Sequence, residues 1–166
     1  MSGGLMTAKN VLKQCPVFAA LNNTELGKIA SLAESRLYEA GTTIFKEQAR
    51  AEELLVIEEG RVALQIAMPA ASPQSPRKIT VDVVGKNEVA GWSAFIEPGA
   101  YVLTAVCLQN TRGLAINSNR LQALMKEDSH LGYEILSGLI RVINSRLHDA
   151  FQVLVSERAF ASELKG

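Results

Sequence analysis

Between Tyr38 and Ile116 the chain alternates short apolar runs with turn residues roughly every 8 to 12 positions. The runs are "TTIF", "ELLVIEEGRVALQIAM", "ITVDVV" and "YVLTAVCLQNTRGLAINS". Gly60, Gly85-Lys86-Asn87 and Asn110-Thr111 interrupt them. Val, Ile and Thr are frequent and no run is long enough for a buried helix, so seven or eight short strands are predicted. Strands this short with such regular turns fit a β-sandwich or jelly roll. "PAASPQSPRK", with prolines at 69, 73 and 76, reads as a long hairpin loop, a working surface only if the chain is an interaction scaffold.

Both ends read as helical. Asn22 is followed three residues later by Glu25, a capping pattern, and Leu26, Ile29, Ala30 and Ala33 then recur at helical spacing. Asn117 or Ser118 caps "NRLQALMKED". From His130 a single helix of about 27 residues is predicted. Along it Leu136, Ile140, Ile143, Leu147, Ala150 and Leu154 fall at alternating spacings of four and three. That is a heptad seam, which predicts self-association through this helix, while Leu139, Val142, Phe151 and Val153 widen the stripe. The expected divisions are a helical segment over 1–37, a β-region over 38–117 and C-terminal helices over 118–166. All belong to one domain, as the length suggests.

Charge and composition narrow the function. The 17 basic and 17 acidic residues cancel and are dispersed, which argues against a nucleic-acid or membrane footprint. There is no apolar leader and no 18-residue apolar run, so a cytoplasmic chain is expected. Cys15 and Cys107 stand alone, without metal-ligand spacing. His130 and His148 lie 18 residues apart, about 27 Å along a helix, and cannot share a metal. Ser93 in "GWSAF" has Phe95 where a nucleophile elbow needs glycine, and no strand-borne histidine could activate it. Glu52-Glu53 and Glu58-Glu59 read as strand-edge and turn residues. No enzyme activity, metal or cofactor is called for.

Taken together, these segments resemble the cyclic-nucleotide-binding domain family of the catabolite gene activator type. The resemblance rests on "FAALNNTELGKIASLAESRLYEAGTTIFKE" with Gly41, "EELLVIEEGRVAL" around Gly60, "VVGKNEVAGWSAF" and the final long helix, and covers about Val17 to Val155. It implies a double-stranded β-helix, a jelly-roll-like β-roll of mainly β, α+β character, with N-terminal helices and a long C-terminal dimerisation helix. It implies a ligand pocket around Gly91, Trp92, Ser93, Ala94, Val102, Leu103 and Thr104.

The same resemblance makes three departures visible. The family places Glu after the cassette glycine to hold a ribose hydroxyl, and here Gly91 is followed by Trp92. It places Arg in the next strand to bind the cyclic phosphate, and the matching position is about Val102. A glycine expected after Lys46-Glu47 is replaced by Gln48. Burying a phosphate unpaired costs several kcal/mol. One charge-assisted hydrogen bond is worth roughly 1.5–3 kcal/mol, so the missing Arg alone weakens binding about ten- to more than a hundred-fold. Arg146 is the only cation expected near the pocket mouth, and its seam register favours a structural ion pair. Cyclic AMP or cyclic GMP binding is therefore disfavoured. Two readings of the pocket stand: a neutral or apolar ligand with Trp92 as a wall, or filling by the protein's own side chains. The expected function is a noncatalytic sensor of altered ligand specificity, acting through a homodimer or a separate effector protein. The alternatives are a ligand-free interaction scaffold and a genuine cyclic nucleotide binder. The tail from Arg158 to Gly166 leaves no room for the helix-turn-helix of many relatives, so direct DNA binding is not expected.

Overall fold

The structure, a computed structural model, describes residues 2–68 and 77–164, with the backbone alone for Ser2. The proline-rich segment 69–76, read above as a hairpin loop, lies outside the described residues.

Two helices open the fold, α1 (Ser2–Gln14) and α2 (Asn23–Ala30). Asn22 accepts from the Glu25 amide at 2.9 Å, and Glu25 Oε2 accepts from the Asn22 amide at 2.8 Å, so the expected capping box forms. Eight strands follow: β1 (Ala33–Tyr38), β2 (Thr43–Phe45), β3 (Glu53–Glu59), β4 (Val62–Ala67), β5 (Lys78–Val84), β6 (Val89–Ala90), β7 (Thr104–Cys107) and β8 (Thr111–Asn117). A short 3-10 turn (Trp92–Phe95) interrupts them. Two helices close the chain, α3 (Ser118–Glu127), capped by Asn117, and α4 (Ser129–Glu163).

The strands form two four-stranded antiparallel sheets, ordered β1-β8-β3-β6 and β2-β7-β4-β5. This is the β-roll with flanking helices that the sequence predicts. The first strand differs from expectation. Ala33 fits the helical spacing of α2, but it pairs with Ile116, and the register runs on to Tyr38 opposite Thr111. Pairing along six residues outweighs a local helical pattern, so the β-region begins at Ala33 rather than Tyr38. Gln48 adopts a left-handed backbone, φ 70°, where the resemblance expected glycine. The turn kept its shape after losing the residue that suits it, at a cost of about 1–2 kcal/mol.

Two cores share the sheet β1-β8-β3-β6. Between the sheets lie Leu55, Ile57, Leu64, Val84, Ala105 and Ala115. On its other side Leu54, Val56, Leu114 and Ile116 meet Leu12, Phe18 and Ile29 from the N-terminal segment, and Leu131, Ile135 and Leu139 from α4. Strand β3 is thus buried on both faces, which is why "LLVI" is continuously apolar rather than alternating. Helix α4 has 35 residues against the 27 expected. It approaches the N-terminal segment so closely that a Cβ on Gly138 would lie 2.5 Å from the Val17 carbonyl oxygen. Beyond Arg146 it leaves the domain, and every residue from Leu147 to Leu164 is exposed.

Candidate functional site

The stretch from β6 to β7 builds a cradle. Gly91 takes φ 90° and opens the 3-10 turn. A Cβ there would sit 2.7 Å from the Glu53 carbonyl oxygen, so both conformation and space require glycine. Helix α3 holds the turn from behind, Gln122 Nε2 donating to the Ala94 carbonyl at 2.9 Å. Ser93 Oγ accepts from the Val102 amide at 3.4 Å, closing the loop between turn and strand.

In front of the cradle is a hollow of about 150 Å³. Gly91, Trp92, Ser93, Val102 and Leu103 line it, with Phe45 and Leu64 from the strands. None of these residues is charged. Phe45 stacks on Tyr101 with ring centroids 3.9 Å apart, and the Tyr101 hydroxyl donates to the Glu53 carbonyl at 3.1 Å. Burial raises the Tyr101 pKa above its ordinary value. The aromatic pair fills space beside Gly91 and leaves the hollow shallow. Its volume is half the roughly 300 Å³ at which small-molecule sites begin.

The expected pocket residues are not all brought together. Gly91, Trp92, Ser93, Val102 and Leu103 meet around the hollow. Thr104 is buried, its hydroxyl accepting from the Glu47 amide at 3.0 Å. Ala94 does not line the hollow; its amide donates to the Gly91 carbonyl and its carbonyl accepts from Gln122. Arg146 lines a different cleft. Its guanidinium carbon lies 4.4 Å from the centre of the Trp92 ring, Nη2 donates to the Val89 carbonyl at 2.9 Å, and Nε is 3.4 Å from Asp82 Oδ2. Burial lowers its pKa, and Asp82 and Glu88 oppose that shift. The expected ion pair forms, but on the side of α4 that faces the domain. Trp92 is therefore shared: it forms a wall of the hollow and supplies the aromatic face that receives Arg146. The sequence reading missed Phe45 and Leu64, although strand alternation would have pointed both inward.

The other chemistry-bearing residues are held in pairs. Glu53 accepts two bonds from Arg36, at 2.7 and 2.8 Å, and Arg112 reaches both Glu58 and Glu59. His130 Nδ1 lies 2.7 Å from Glu25 Oε1. Cys15 is fully buried, its thiol pKa pushed up to about 11 by burial. Among the described residues no three of His, Cys, Asp and Glu are grouped to hold a metal, and no helix is long and apolar enough to cross a membrane.

The seam of α4 stands open. Ile140 is 66 % exposed, Leu136, Leu147 and Leu154 are each nearly half exposed, Ala150 is exposed, and Ile143 is partly covered.

Comparison with known proteins follows the same lines. The family model described as cyclic nucleotide-binding domain matches residues 35–128, more than half the chain. The anaerobic regulatory protein of Bacillus subtilis (strain 168) is 26 % identical over 145 residues. These cover 84 % of this chain and 59 % of the relative, so the chain spans under two thirds of that protein. The N-terminal domain of a transcriptional regulator from Streptomyces coelicolor A3(2) superimposes with a TM-score of 0.66 at 26 % identity, over 81 % of this chain and 93 % of that one. A cyclic nucleotide-binding domain from Methylobacillus flagellatus KT gives 0.77 at 16 % identity, over 92 % and 83 %, a likeness of fold.

Proposed function

The chain belongs to the cyclic nucleotide-binding domain family, and from that premise we propose that it is a noncatalytic regulatory module whose cassette no longer takes a cyclic nucleotide. One observation carries this reading: a hollow of about 150 Å³ with no cation in its lining. A cyclic phosphate keeps one negative charge at neutral pH. In this hollow it would surrender water and meet aliphatic and aromatic carbon, at a cost of several kcal/mol. The Arg146 guanidinium is stacked on Trp92, bonded to Val89 and paired with Asp82. Releasing it would leave Asp82 unpaired and bare the Trp92 face.

The module's output surface is α4. Its seam of Leu136, Ile140, Ile143, Leu147, Ala150 and Leu154 is exposed in the single chain except at the partly covered Ile143, and has coiled-coil spacing. A parallel pair of these helices would bury it, and two copies would then present one surface to an effector protein. Trp92 and Arg146 join cassette to helix, so a displacement of the turn is transmitted to α4 at the point where it leaves the domain.

Calorimetric titration with cyclic AMP and cyclic GMP tests the reading. Dissociation constants above about 1 mM, with the melting temperature unmoved, are expected. Submicromolar binding of either nucleotide overturns it. The open seam also favours a second reading, a scaffold that binds nothing small. That reading survives only if no small molecule shifts the melting temperature.

A further inference from the structure

The hollow in front of the cradle has a back, a mouth and two aromatic walls. Its back is Leu64, 4 % exposed, and its mouth is Val102, 63 % exposed. Between them Phe45, Trp92, Ser93 and Leu103 are each partly exposed, so the lining faces solvent across a recess and is within reach of a ligand. Water suits such a surface poorly. A held water needs roughly two to four polar partners, and the side chains here offer one, the Ser93 hydroxyl. The volume of about 150 Å³ is half of what drug-sized ligands occupy, but it is the size at which an apolar cavity takes one benzene ring.

The lining also selects a shape and a charge. Phe45 and Trp92 bring two aromatic rings to one recess, and Phe45 is backed by Tyr101 with centroids 3.9 Å apart. A further ring set against them gains edge-to-face or offset contact that an alkyl group of equal size lacks. No charged side chain lines the hollow, so an ionic ligand group would go unpaired there. Ser93 Oγ accepts from the Val102 amide at 3.4 Å, which leaves the hydroxyl proton to donate to an oxygen of a ligand. We propose that the hollow binds an uncharged single-ring aromatic molecule carrying one oxygen, its ring beside Phe45 and Trp92 and its oxygen on the Ser93 hydroxyl. Such a ligand presupposes that the cassette no longer takes a cyclic nucleotide, and it occupies the same place. The Trp92 ring also holds the Arg146 guanidinium at 4.4 Å, so the occupant adjoins the contact at which α4 leaves the domain.

Benzyl alcohol is the probe, with cyclohexylmethanol as its saturated counterpart, benzoate as its charged one and toluene as the ring without oxygen. Each is titrated into the full chain by calorimetry and by the emission of Trp92, the only tryptophan. Cyclic AMP is titrated separately. Benzyl alcohol is expected to bind one per chain with Kd at or below about 1 mM and to shift Trp92 emission. Cyclohexylmethanol should bind about two- to tenfold more weakly, and benzoate at least about tenfold more weakly. Ser93→Ala should weaken benzyl alcohol about two- to tenfold and leave toluene unchanged. Val102→Phe should close the mouth and abolish binding. Val102 is exposed, so its variant keeps the fold, and circular dichroism checks both variants. Nuclear Overhauser contacts should run from the ring protons to the methyl groups of Val102 and Leu103. Four results would overturn the proposal: no benzyl alcohol binding up to about 10 mM, benzoate or cyclohexylmethanol binding as tightly, binding untouched by Ser93→Ala or by Val102→Phe, or contacts to the methyl groups of Leu136 and Ile140 on α4 instead. In each of these the loss of nucleotide binding stands. Submicromolar cyclic AMP binding defeats that reading, and this ligand with it.

Discussion

The two halves of α4 have similar lengths and opposite surroundings. From Ser129 to Arg146 the helix is bound to the domain: Leu131, Ile135 and Leu139 are in the core, and Gly138 lies against the Val17 backbone. From Leu147 to Glu163 no residue is buried, and Phe151, Val153, Val155 and Phe160 are more than half exposed. A free helix of this length is little longer than the roughly 12–15 residues below which isolated helices are marginal in water. The difference teaches where each half draws its stability. The first half is held by its own fold, and the second makes no buried contact with it.

Four experiments break or sharpen this contrast, from the largest effect to the smallest. Gly138→Val should destabilise the chain by about 4 kcal/mol or more, because its side chain has no space beside Val17, and denaturant unfolding should record it. Ile135→Ala should cost about 2–5 kcal/mol by the cavity it leaves. Leu147→Glu lies one residue past Arg146, where the helix leaves the domain. It should move monomer stability by only about 0.5 kcal/mol and abolish self-association in light scattering. A Leu147→Glu dimer as tight as the wild type would show that the free half pairs along some other stripe.

The smallest effect concerns the ion pair that ties the start of α4 to α2. Glu25 is nearly buried. Burial raises its pKa, but the Asn22 amide and His130 outweigh burial and hold it below its ordinary 4.5. His130 is raised above 6.5, first by its hydrogen bond to Glu25. The His130 contribution is therefore fully present below pH 6.5 and is lost as pH rises through its elevated value. The Glu25 contribution is present above pH 4.5 and is lost as pH falls through its depressed value. The melting-temperature gap between the wild type and His130→Ala should be widest between those limits and should close in alkali. A gap constant to about pH 9 would mean that the pair adds nothing electrostatic.

How much of this was legible in the sequence depends on whether the signal was local. The capping box at Asn22 and the Asn117 cap are patterns within a few residues, and they read directly. The start of β1 did not, because Ala33 fits a helix locally and is claimed as a strand only by Ile116, far along the chain. The hollow read in part. Gly91 and the uncharged cassette stood out, whereas Phe45 and Leu64 reach it through strand packing. Arg146 was placed near the pocket and expected in an ion pair, yet its seat on Trp92 follows from the rotation of α4 about its axis, fixed by the close approach at Gly138. Gln48 is the reverse case. The residue departs from the glycine expected there, and the backbone keeps the left-handed turn regardless.

Strand β3 touches both hydrophobic interiors, with Leu54 and Val56 on one side and Leu55 and Ile57 on the other. Neither the helical layer nor the roll can open without stripping one face of the same four residues. Melting should therefore be a single transition for the whole body. Amide protons of Leu55 and Val56 should exchange with solvent last, long after those of the protruding helix have been replaced.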